Sequence, residues 1–262
     1  MQLDAYDTAQ TTSQKHATPL VFIHGAWCGK WVWLDKFVPY FEKLGYRCLA
    51  MDLRGHGESE GKEQVNKFRI EDYVEDVQSV AMKLGDRFVV IGHSMGGAVV
   101  ERFIQKYSAA AAVLIAPPPP QGVSASVSRN VSRMKLLRML LTKNTFLLVK
   151  DQKLSKVMFF TKEMADEDYE IHYGRLGNES YSAIMELNKP FIKGDPNHPF
   201  TVPVFLIGAS KDGLFTPDEI KATANQYDVT PVFFDGGHVL MLEENWKDVA
   251  GSINDWLMSQ GF

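Results

Sequence analysis

Six apolar runs of strand length recur along the chain, with turn-forming residues at their carboxyl ends. The hydrophobicity of these runs is nearly continuous and does not alternate, which is typical of parallel strands buried on both faces. The runs cover residues 19–25, 47–53, 87–94, 110–117, 202–210 and 229–237. They predict a parallel sheet with both faces covered.

Segments of helical periodicity lie between these runs. The clearest covers residues 70–84, where apolar residues recur at 3.6-residue spacing and form one stripe: Ile70, Tyr73, Val74, Val77, Ala81 and Leu84. The alternation of strands and helices predicts right-handed crossovers and a doubly wound sheet. In such sheets ligands bind beyond the carboxyl ends of the strands, so we expect the functional residues there.

The alternation stops between Pro117 and about Pro196. Four consecutive prolines, residues 117–120, end the preceding strand because proline cannot continue a β-ladder. The sequence that follows has helical character, and we expect an inserted helical cap at residues 117–195. One core would then be built from residues 1–116 and 196–262.

Charge within the expected cap is unevenly distributed. Residues 121–160 hold eight Lys or Arg and one acid, whereas residues 161–186 hold seven acids and two basic residues. The stretch VSRMKLLRMLLTKNTFLLV mixes leucines with basic residues, which favours a weak contact with a lipid surface. Alternatively, the basic half of the cap pairs with the acidic half, because the basic residues do not gather on one helical face. Both interpretations stay open.

The composition is that of an ordinary globular protein. The 262 residues are 45% hydrophobic and 23% charged, and the net charge of −4 gives no reason to expect nucleic acid as a partner. The first 18 residues lack the apolar segment of a signal peptide, and no apolar run approaches the roughly 20 residues of a membrane span. Two cysteines, Cys28 and Cys48, are too few for a disulfide framework. We expect a cytoplasmic protein.

A candidate nucleophile follows the third apolar run. Gly92-His93-Ser94-Met95-Gly96 fits the G-x-S-x-G elbow, a sharp strand-to-helix turn that lifts the serine Oγ above the sheet. Gly92 and Gly96 lie two positions before and two positions after Ser94, because larger side chains would clash in this turn. A helix-like segment follows, which strengthens the motif. His93 adjoins Ser94 so closely that its side chain should point elsewhere, and we do not expect it to be the base.

The base and the acid are expected at two later strand ends. His238 follows two glycines after the last apolar run, and Asp212 follows the run at residues 202–210. The chain order Ser94, Asp212, His238 is the one expected for a Ser-His-Asp triad on this kind of sheet. Three further carboxylates fit less well, because they lie at the cap exit, at a helix start and at a strand end: Asp195, Asp218 and Asp235.

Backbone amides should stabilise the oxyanion of an acyl-transfer reaction. One donor is expected to be the amide of Met95, at the start of the helix after Ser94. The second is expected to be the amide of Ala26, in the loop His24-Gly25-Ala26-Trp27 after the first run. With Trp27, these residues should form the floor of an apolar substrate pocket under the cap.

Two further aromatic residues and one histidine near this loop are expected to be structural. Trp31 and Trp33 follow the loop at helical spacing and should serve packing more than ligand contact. His24 should fix the loop by hydrogen bonds and take no part in catalysis.

Four ordered motifs resemble the α/β-hydrolase family: HGAW, Asp52-Leu53-Arg54-Gly55-His56-Gly57-Glu58-Ser59, GHSMGG and GGH. The resemblance implies a mostly parallel central sheet with helices on both faces and an inserted helical cap. It also implies that the segment around His56 is a structural turn, with His56 fixing a loop and not binding a metal. The family's amino-terminal strands have little room in residues 1–18, so that edge is expected to be trimmed or reduced to one strand.

The resemblance also narrows the chemistry. Epoxide hydrolases and haloalkane dehalogenases carry Asp at the nucleophile position, whereas this chain has Ser94. The segment HGAWCGKWVW is similar to a loop of plant methylesterases and hydroxynitrile lyases. Those lyases place Lys directly after the catalytic histidine, whereas this chain has Val239. Lyase activity is therefore not expected.

The expected function is hydrolysis of carboxylic esters with small to medium lipophilic acyl groups, through an acyl-enzyme and without cofactor or metal. The expected partner is thus a small-molecule ester. A thioesterase, a lactonase or a C–C bond hydrolase on the same triad is an alternative. A non-catalytic ligand receptor of the same fold is a third interpretation, against which the intact motifs weigh. The oligomeric state stays open.

Overall fold

The protein was analysed as a computed structural model, which describes residues 1–10, 14–85, 87–190 and 202–262. Seven strands form one sheet in the order β1-β3-β2-β4-β5-β6-β7. Strand β1 pairs antiparallel to β3, and the other neighbouring pairs are parallel. The strands are β1 (Ala5–Asp7), β2 (Leu20–Ile23), β3 (Cys48–Met51), β4 (Val89–His93), β5 (Ala111–Ile115), β6 (Val204–Ala209) and β7 (Val232–Phe234).

Helices cover both faces of this sheet. Every residue of β2 to β6 is buried, which requires packing on both sides of the strands. The helices are α1 (Trp31–Leu34), α2 (Phe37–Leu44), α3 (Ile70–Ala81), α4 (Met95–Lys106), α5 (Ser124–Asn130), α6 (Arg133–Thr142), α7 (Gln152–Phe159), α8 (Asp166–Tyr173), α9 (Tyr181–Leu187), α10 (Pro217–Ala224) and α11 (Trp246–Ser259). The predicted mostly parallel α/β architecture is confirmed.

The two edges of the sheet differ from its centre. At one edge, β1 is three exposed residues long, which confirms that the amino-terminal part is reduced to a single strand. At the other edge, the apolar run at 229–237 supplies a short β7 in which Val232 is exposed. An edge strand has one neighbour to pair with, so its outer side need not be covered.

Helix α3 begins and ends close to the predicted bounds. Its apolar stripe packs inward, and a 3₁₀ turn over Met82–Leu84 continues the segment to the predicted end. Asp76 is also buried on this helix, where it accepts hydrogen bonds from the Arg54 backbone (2.8 Å) and side chain (2.7 Å). The helix is thereby tied to the turn after β3.

An insertion, defined here as residues 117–190, separates β5 from β6 and contains α5 to α9 with a 3₁₀ turn at Thr145–Leu148. Its predicted carboxyl boundary at residue 195, and Asp195 itself, lie outside the described residues. Five ion pairs between described residues join it to the core, and the two shortest involve arginines. Arg129 contacts Glu219 at 2.6 Å, and Arg175 contacts Asp35 at 2.5 Å.

Charges within the insertion pair with one another less than the sequence suggested. Lys156 and Asp166, 2.6 Å apart, join the basic and acidic halves, and in the described part of the chain no other ion pair does so. Lys135 pairs with Asp151 inside the basic half itself. Among the described helices, none combines the length and apolar character needed to cross a bilayer.

Candidate active site

Ser94 lies in the sharp turn between β4 and α4, with φ of 51° and ψ of −122°. A non-glycine residue with positive φ is strained by about 1–3 kcal/mol, and such strain persists only where the surroundings enforce it. The flanking Gly92 and Gly96 are required, because a Cβ on either would overlap backbone atoms. The structure thus forms the elbow that the sequence predicts.

Asp212 and His238 are brought together at the carboxyl end of the sheet, after β6 and β7. The His238 Nδ1–H donates to Asp212 Oδ2 over 2.8 Å, and both side chains are buried. The other carboxylate oxygen of Asp212 accepts from the amides of Leu214 (2.7 Å) and Phe215 (3.0 Å). These bonds fix the carboxylate. The buried His238 Nε2 has no hydrogen-bond partner among the described residues, so it is available to a ligand.

The turn that carries His238 is fixed by Glu243. One oxygen of this buried carboxylate accepts from the amides of Gly237 (3.0 Å) and Thr161 (2.7 Å). A Cβ at Gly237 would lie 2.6 Å from that oxygen, so the close approach requires glycine. Sequence analysis did not identify Glu243, because a glutamate near the chain's last helix resembles an ordinary surface residue.

His93 points away from the nucleophile, as predicted. Its Nε2–H donates to the backbone carbonyl of His238 over 3.0 Å and so supports that turn. Burial, together with the nearby ring of His238, holds the pKa of His93 well below its usual value. His93 is therefore neutral and structural.

The loop after β2 approaches Ser94 closely. A Cβ at Gly25 would lie 2.8 Å from His93 Nδ1 and 3.1 Å from Ser94 Cβ. The following turn places Trp27 at φ of 61°. Within the described part of the chain, the backbone N–H groups of Ala26 and Met95 have no hydrogen-bond acceptor. They are therefore free to hold a ligand oxygen.

A model of the alpha/beta hydrolase family matches residues 20–252 of the chain. The chain belongs to this family. A probable lysophospholipase of Arabidopsis thaliana, BODYGUARD 4, is 31% identical over 128 residues, which are 47% of this chain and 30% of that protein. The bifunctional esterase/perhydrolase DCH of Acinetobacter calcoaceticus is 35% identical over 93 residues, 34% of this chain and 32% of that protein.

The chain matches about a third of the length of these two curated relatives. Among solved structures, a thermophilic esterase from Thermogutta terrifontis superposes with a TM-score of 0.75 at 21% identity, covering 98% of this chain and 93% of that one. This likeness shows the fold. The comparisons together support a hydrolase with esterase-like relatives.

His24 fixes the loop after β2 of this alpha/beta hydrolase. Its Nε2 accepts from the Leu53 amide (3.1 Å), so Nδ1 carries the proton and donates to the Gly25 carbonyl (2.8 Å). Burial, and then the charge of His56, lower the pKa of His24 to about 4. A neutral histidine with both ring nitrogens engaged matches the structural role expected from the sequence.

His56 lies beside His24, but it is positively charged whereas His24 is neutral. Both of its nitrogens face acceptors, the Arg54 carbonyl at 3.1 Å and Glu179 Oε2 at 3.0 Å. Burial alone would lower the pKa of His56, but the Glu179 carboxylate, together with the Arg54 carbonyl and the charge of Asp52, raises it. Burial likewise would raise the pKa of Glu179, and the His56 charge lowers it. The two residues form a buried ion pair.

Glu179 is, after Glu243, a second buried carboxylate near the site that the sequence did not single out. It belongs to the insertion, is fully buried, and also accepts from the Tyr73 hydroxyl (2.9 Å) and the Trp27 amide (3.4 Å). The available signal was its position directly before Ser180, the residue that caps the start of α9. Because Glu179 lies in an acidic segment, its sequence resembles a solvated surface.

A large apolar cavity of about 220 Å³ lies above Ser94, between the core and the insertion. The core contributes four of the predicted site residues, Ala26, Trp27, Ser94 and Met95. The insertion contributes residues of α5, α6, α7 and α9, and the lining side chains are mostly aliphatic. They include Val123, Val127, Leu136, Met139, Leu140, Leu148, Met158, Ile184 and Leu187.

A second cavity, of about 20 Å³, is lined by Ser94 as well. It is lined by His238, Cys28 and Trp31, among others. Trp31 packs against the core and stacks on His172 while bordering this cavity, and Trp33 is fully buried in the core, so both serve packing as expected. Burial, and then the charge of Glu179, raise the pKa of the Cys28 thiol to about 12, so this thiol stays protonated.

The described side chains do not form a metal site. Among the described residues, no group of three or more His, Cys, Asp or Glu is arranged to hold a metal ion. His24 and His56 use their ring nitrogens for the hydrogen bonds given above. The arrangement brings together a serine, a buried histidine–carboxylate pair and two free amides at two cavities that share Ser94 and Ala26.

Proposed function

We propose that this alpha/beta hydrolase is a serine esterase that cleaves carboxylic esters with lipophilic acyl groups. The observation that carries the proposal is the 2.8 Å bond from His238 Nδ1 to Asp212, which leaves Nε2 unpartnered among the described residues. Ser94 and His238 line the same small cavity. A buried, oriented imidazole beside a strained serine is the arrangement that nucleophilic acyl transfer requires.

The reaction would proceed through two tetrahedral intermediates. Ser94 Oγ attacks the acyl carbon while His238 Nε2 takes its proton, and Asp212 stabilises the imidazolium that forms. The amides of Ala26 and Met95 donate to the oxyanion. His238 then protonates the departing alcohol oxygen. In the second half, His238 deprotonates a water molecule that attacks the acyl carbon, and it returns the proton to Ser94 Oγ as the acyl–serine bond breaks and the acid is released.

The two cavities suggest which part of the ester lies on each side of Ser94. His238 must reach the leaving oxygen, and it lines the 20 Å³ cavity but not the 220 Å³ cavity. The large apolar cavity would therefore take the acyl chain, and the small one would admit a small alcohol. Burial of each CH₂ stabilises binding by about 0.8 kcal/mol, so longer chains gain until the cavity is filled.

In this account the insertion is a cap, as the sequence suggested for residues 117–195. Aliphatic side chains from four of its helices face the same cavity as Ser94, so its closure would exclude water from the acyl group. Substrate choice would then depend on the insertion, whereas the chemistry depends on the core.

The test is hydrolysis of methyl esters with acyl chains of two to sixteen carbons, followed by acid release. The proposal predicts a maximum at a medium or long chain, and slower turnover when the methyl group is replaced by a bulky alcohol. Matched thioesters, lactones and C–C substrates measure the alternative chemistries at the same triad. No turnover of any ester by a folded, wild-type protein would contradict the proposal.

A further inference from the structure

Helix α6 covers the large cavity with one side and exposes apolar residues on the other. Leu136 and Met139 face the cavity. On the outer side, Met134 is 80% exposed, Leu137 57% and Leu141 76%. Exposed apolar side chains of this size, grouped on one helix, mark an interaction surface.

Basic residues flank this apolar stripe. At about 100° per residue, Leu137, Leu141 and Met134 fall within an arc of about 60°, and Arg133 and Arg138 lie about 40° outside it on either side. Neither guanidinium has an ion-pair partner in the part of the chain the structure describes. The helix itself, RMKLLRMLLT, contains no acidic residue.

We propose that this stripe docks on the surface of an anionic phospholipid bilayer, with the three apolar side chains inserted and both arginines at the headgroups. An apolar stripe between two rows of cations is complementary to such a surface. The protein as a whole carries a net charge of −4, so the basic helix would also orient the molecule on the bilayer.

The same face leads to the cavity. Leu140 is 43% exposed and also lines the 220 Å³ cavity, so the cavity wall continues into the docking surface. An amphiphile could pass from the bilayer to Ser94 along apolar side chains. This last step rests on the proposed esterase function, whereas the docking itself does not.

A second copy of the chain is the competing occupant of the stripe. In a two-fold symmetric contact the same face would meet itself, which would bring Arg133 and Arg138 of one copy against those of the other. Like charges held close together oppose association. The charge pattern therefore favours a lipid surface.

The experiment is co-sedimentation of the full chain with vesicles of phosphatidylcholine containing none, a quarter or a half of phosphatidylglycerol, at low and at 0.5 M salt. The proposal predicts binding that rises with the anionic fraction and weakens at high salt. The double variant Leu137→Ser, Leu141→Ser should bind at least tenfold more weakly. Arg133→Gln with Arg138→Gln should lose the dependence on anionic lipid, and Met258→Ser, an exposed methionine on α11, should bind like wild type.

Turnover of a short, water-soluble ester is measured in parallel. The leucine variant should retain it, because neither leucine lines the cavity. Absence of vesicle binding at the highest anionic fraction and low salt would overturn the proposal, as would equal binding by the leucine variant. Dimerisation that the leucine variant abolishes would instead assign the stripe to a second copy. A failed esterase proposal would appear separately, as vesicle binding without ester turnover.

A different observation carries a second inference, at Glu179. Its buried carboxylate accepts from Trp27 N–H (3.4 Å), from His56 Nε2–H (3.0 Å) and from the Tyr73 hydroxyl (2.9 Å). The insertion thus supplies the partner of the one strained residue in the loop after β2, since Trp27 has φ of 61°. The geometry points to Glu179 as a positioning residue that holds this loop so that the Ala26 amide faces the cavity. This inference also rests on the proposed esterase function.

The test compares Glu179→Gln with Glu186→Gln, which removes a more exposed contact between the insertion and Arg69. Glu179→Gln should lower kcat at least tenfold with little change in KM, and should weaken binding of a phosphonate transition-state analogue by a similar factor. Glu186→Gln should leave both values unchanged. Unchanged kcat in a folded Glu179→Gln protein would overturn the inference. Equal losses in both variants would also do so, because they would indicate a general loss of stability.

Discussion

Asp212 and His238 lie 26 positions apart in the chain, and their side chains meet through a single 2.8 Å hydrogen bond. Asp212 is held by two backbone amides, and the turn that carries His238 is held by Glu243. Each partner is therefore oriented by its own strand end before any substrate arrives. The arrangement is preorganised, which is what allows a histidine to act as base without rearrangement.

Asp212→Asn should leave the fold intact and lower kcat by about 10²–10⁴. The amide can still accept from the Leu214 and Phe215 amides, but it no longer stabilises an imidazolium and favours the wrong tautomer of His238. Steady-state kinetics with a short ester measures this change. Asp235→Asn is the control, since Asp235 pairs with Lys211 at the surface. An Asp212→Asn protein with wild-type turnover would assign the role to another carboxylate.

Met139→Phe should shift acyl-chain preference towards shorter chains. Met139 is buried and lines the large cavity, so a bulkier ring there reduces the space for the acyl group. We expect kcat/KM for long-chain esters to fall by about tenfold or more, and that for acetate esters to stay within about threefold. Met134→Phe on the exposed side of the same helix is the control. If both variants keep the wild-type chain profile, the acyl group does not occupy this cavity.

Gly25→Ala should reduce catalysis more than stability. The added Cβ would meet His93 Nδ1 at 2.8 Å and Ser94 Cβ at 3.1 Å, so the loop after β2 must move away from Ser94. The Ala26 amide would move with it, and loss of one oxyanion donor costs about 10²–10³ in kcat. Kinetics and thermal unfolding are measured together. Gly251→Ala, whose added Cβ would make an ordinary contact of 3.7 Å with the Tyr40 hydroxyl, should have wild-type kcat. A full loss of folding in Gly25→Ala would shift the effect from the loop's position to stability.

Glu101 should make the folded state less stable as pH rises. Burial raises its pKa from the usual 4.5 to about 8, against the opposing influence of the Tyr227 hydroxyl, which donates to it over 3.0 Å. A group with a raised pKa in the folded state contributes stability that is complete below pH 4.5 and is lost as pH rises to about 8. Denaturant unfolding between pH 5 and 9 measures the trend.

Glu101→Gln keeps the hydrogen bond from Tyr227 and removes the ionisation, so its free energy of unfolding should vary less over this pH range. Glu244 is exposed, so Glu244→Gln is the matched control and should follow the wild-type curve. Parallel curves for wild type and Glu101→Gln would contradict a raised pKa, because they would show that Glu101 is ionised in both the folded and the unfolded state over this range.

The sequence predicted most of the sheet because the strand signal is local. Continuous apolar runs mark β2 to β6, and the motifs at their carboxyl ends placed Ser94, Asp212 and His238 at one edge without knowledge of any contact. Gly25, Gly92 and Gly96 also indicated the site, since each lets two backbone segments approach more closely than a larger residue would allow. These residues are recognisable because their constraints act over a few positions.

Glu179 and Glu243 could not be recognised in the same way. Each is a carboxylate whose partners come from distant segments, and 123 positions separate Glu179 from His56. A buried and a solvated glutamate look identical in a single sequence, because burial is decided by tertiary packing. The charge pattern of the insertion was similarly uninformative, since several of its ion pairs reach the core, whereas in the described residues the pair of Lys156 and Asp166 alone joins its two halves.

The central claim is that Ser94 forms a covalent acyl-enzyme. Intact-protein mass spectrometry, after rapid mixing with a medium-chain ester and acid quenching, tests it most directly, with Ser94→Ala as the matched control. The account predicts a mass increase equal to the acyl group in wild type, a larger population in Asp212→Asn if deacylation slows, and none in Ser94→Ala. An acyl adduct that persists in Ser94→Ala, or ester turnover at the wild-type rate in that variant, would contradict the account.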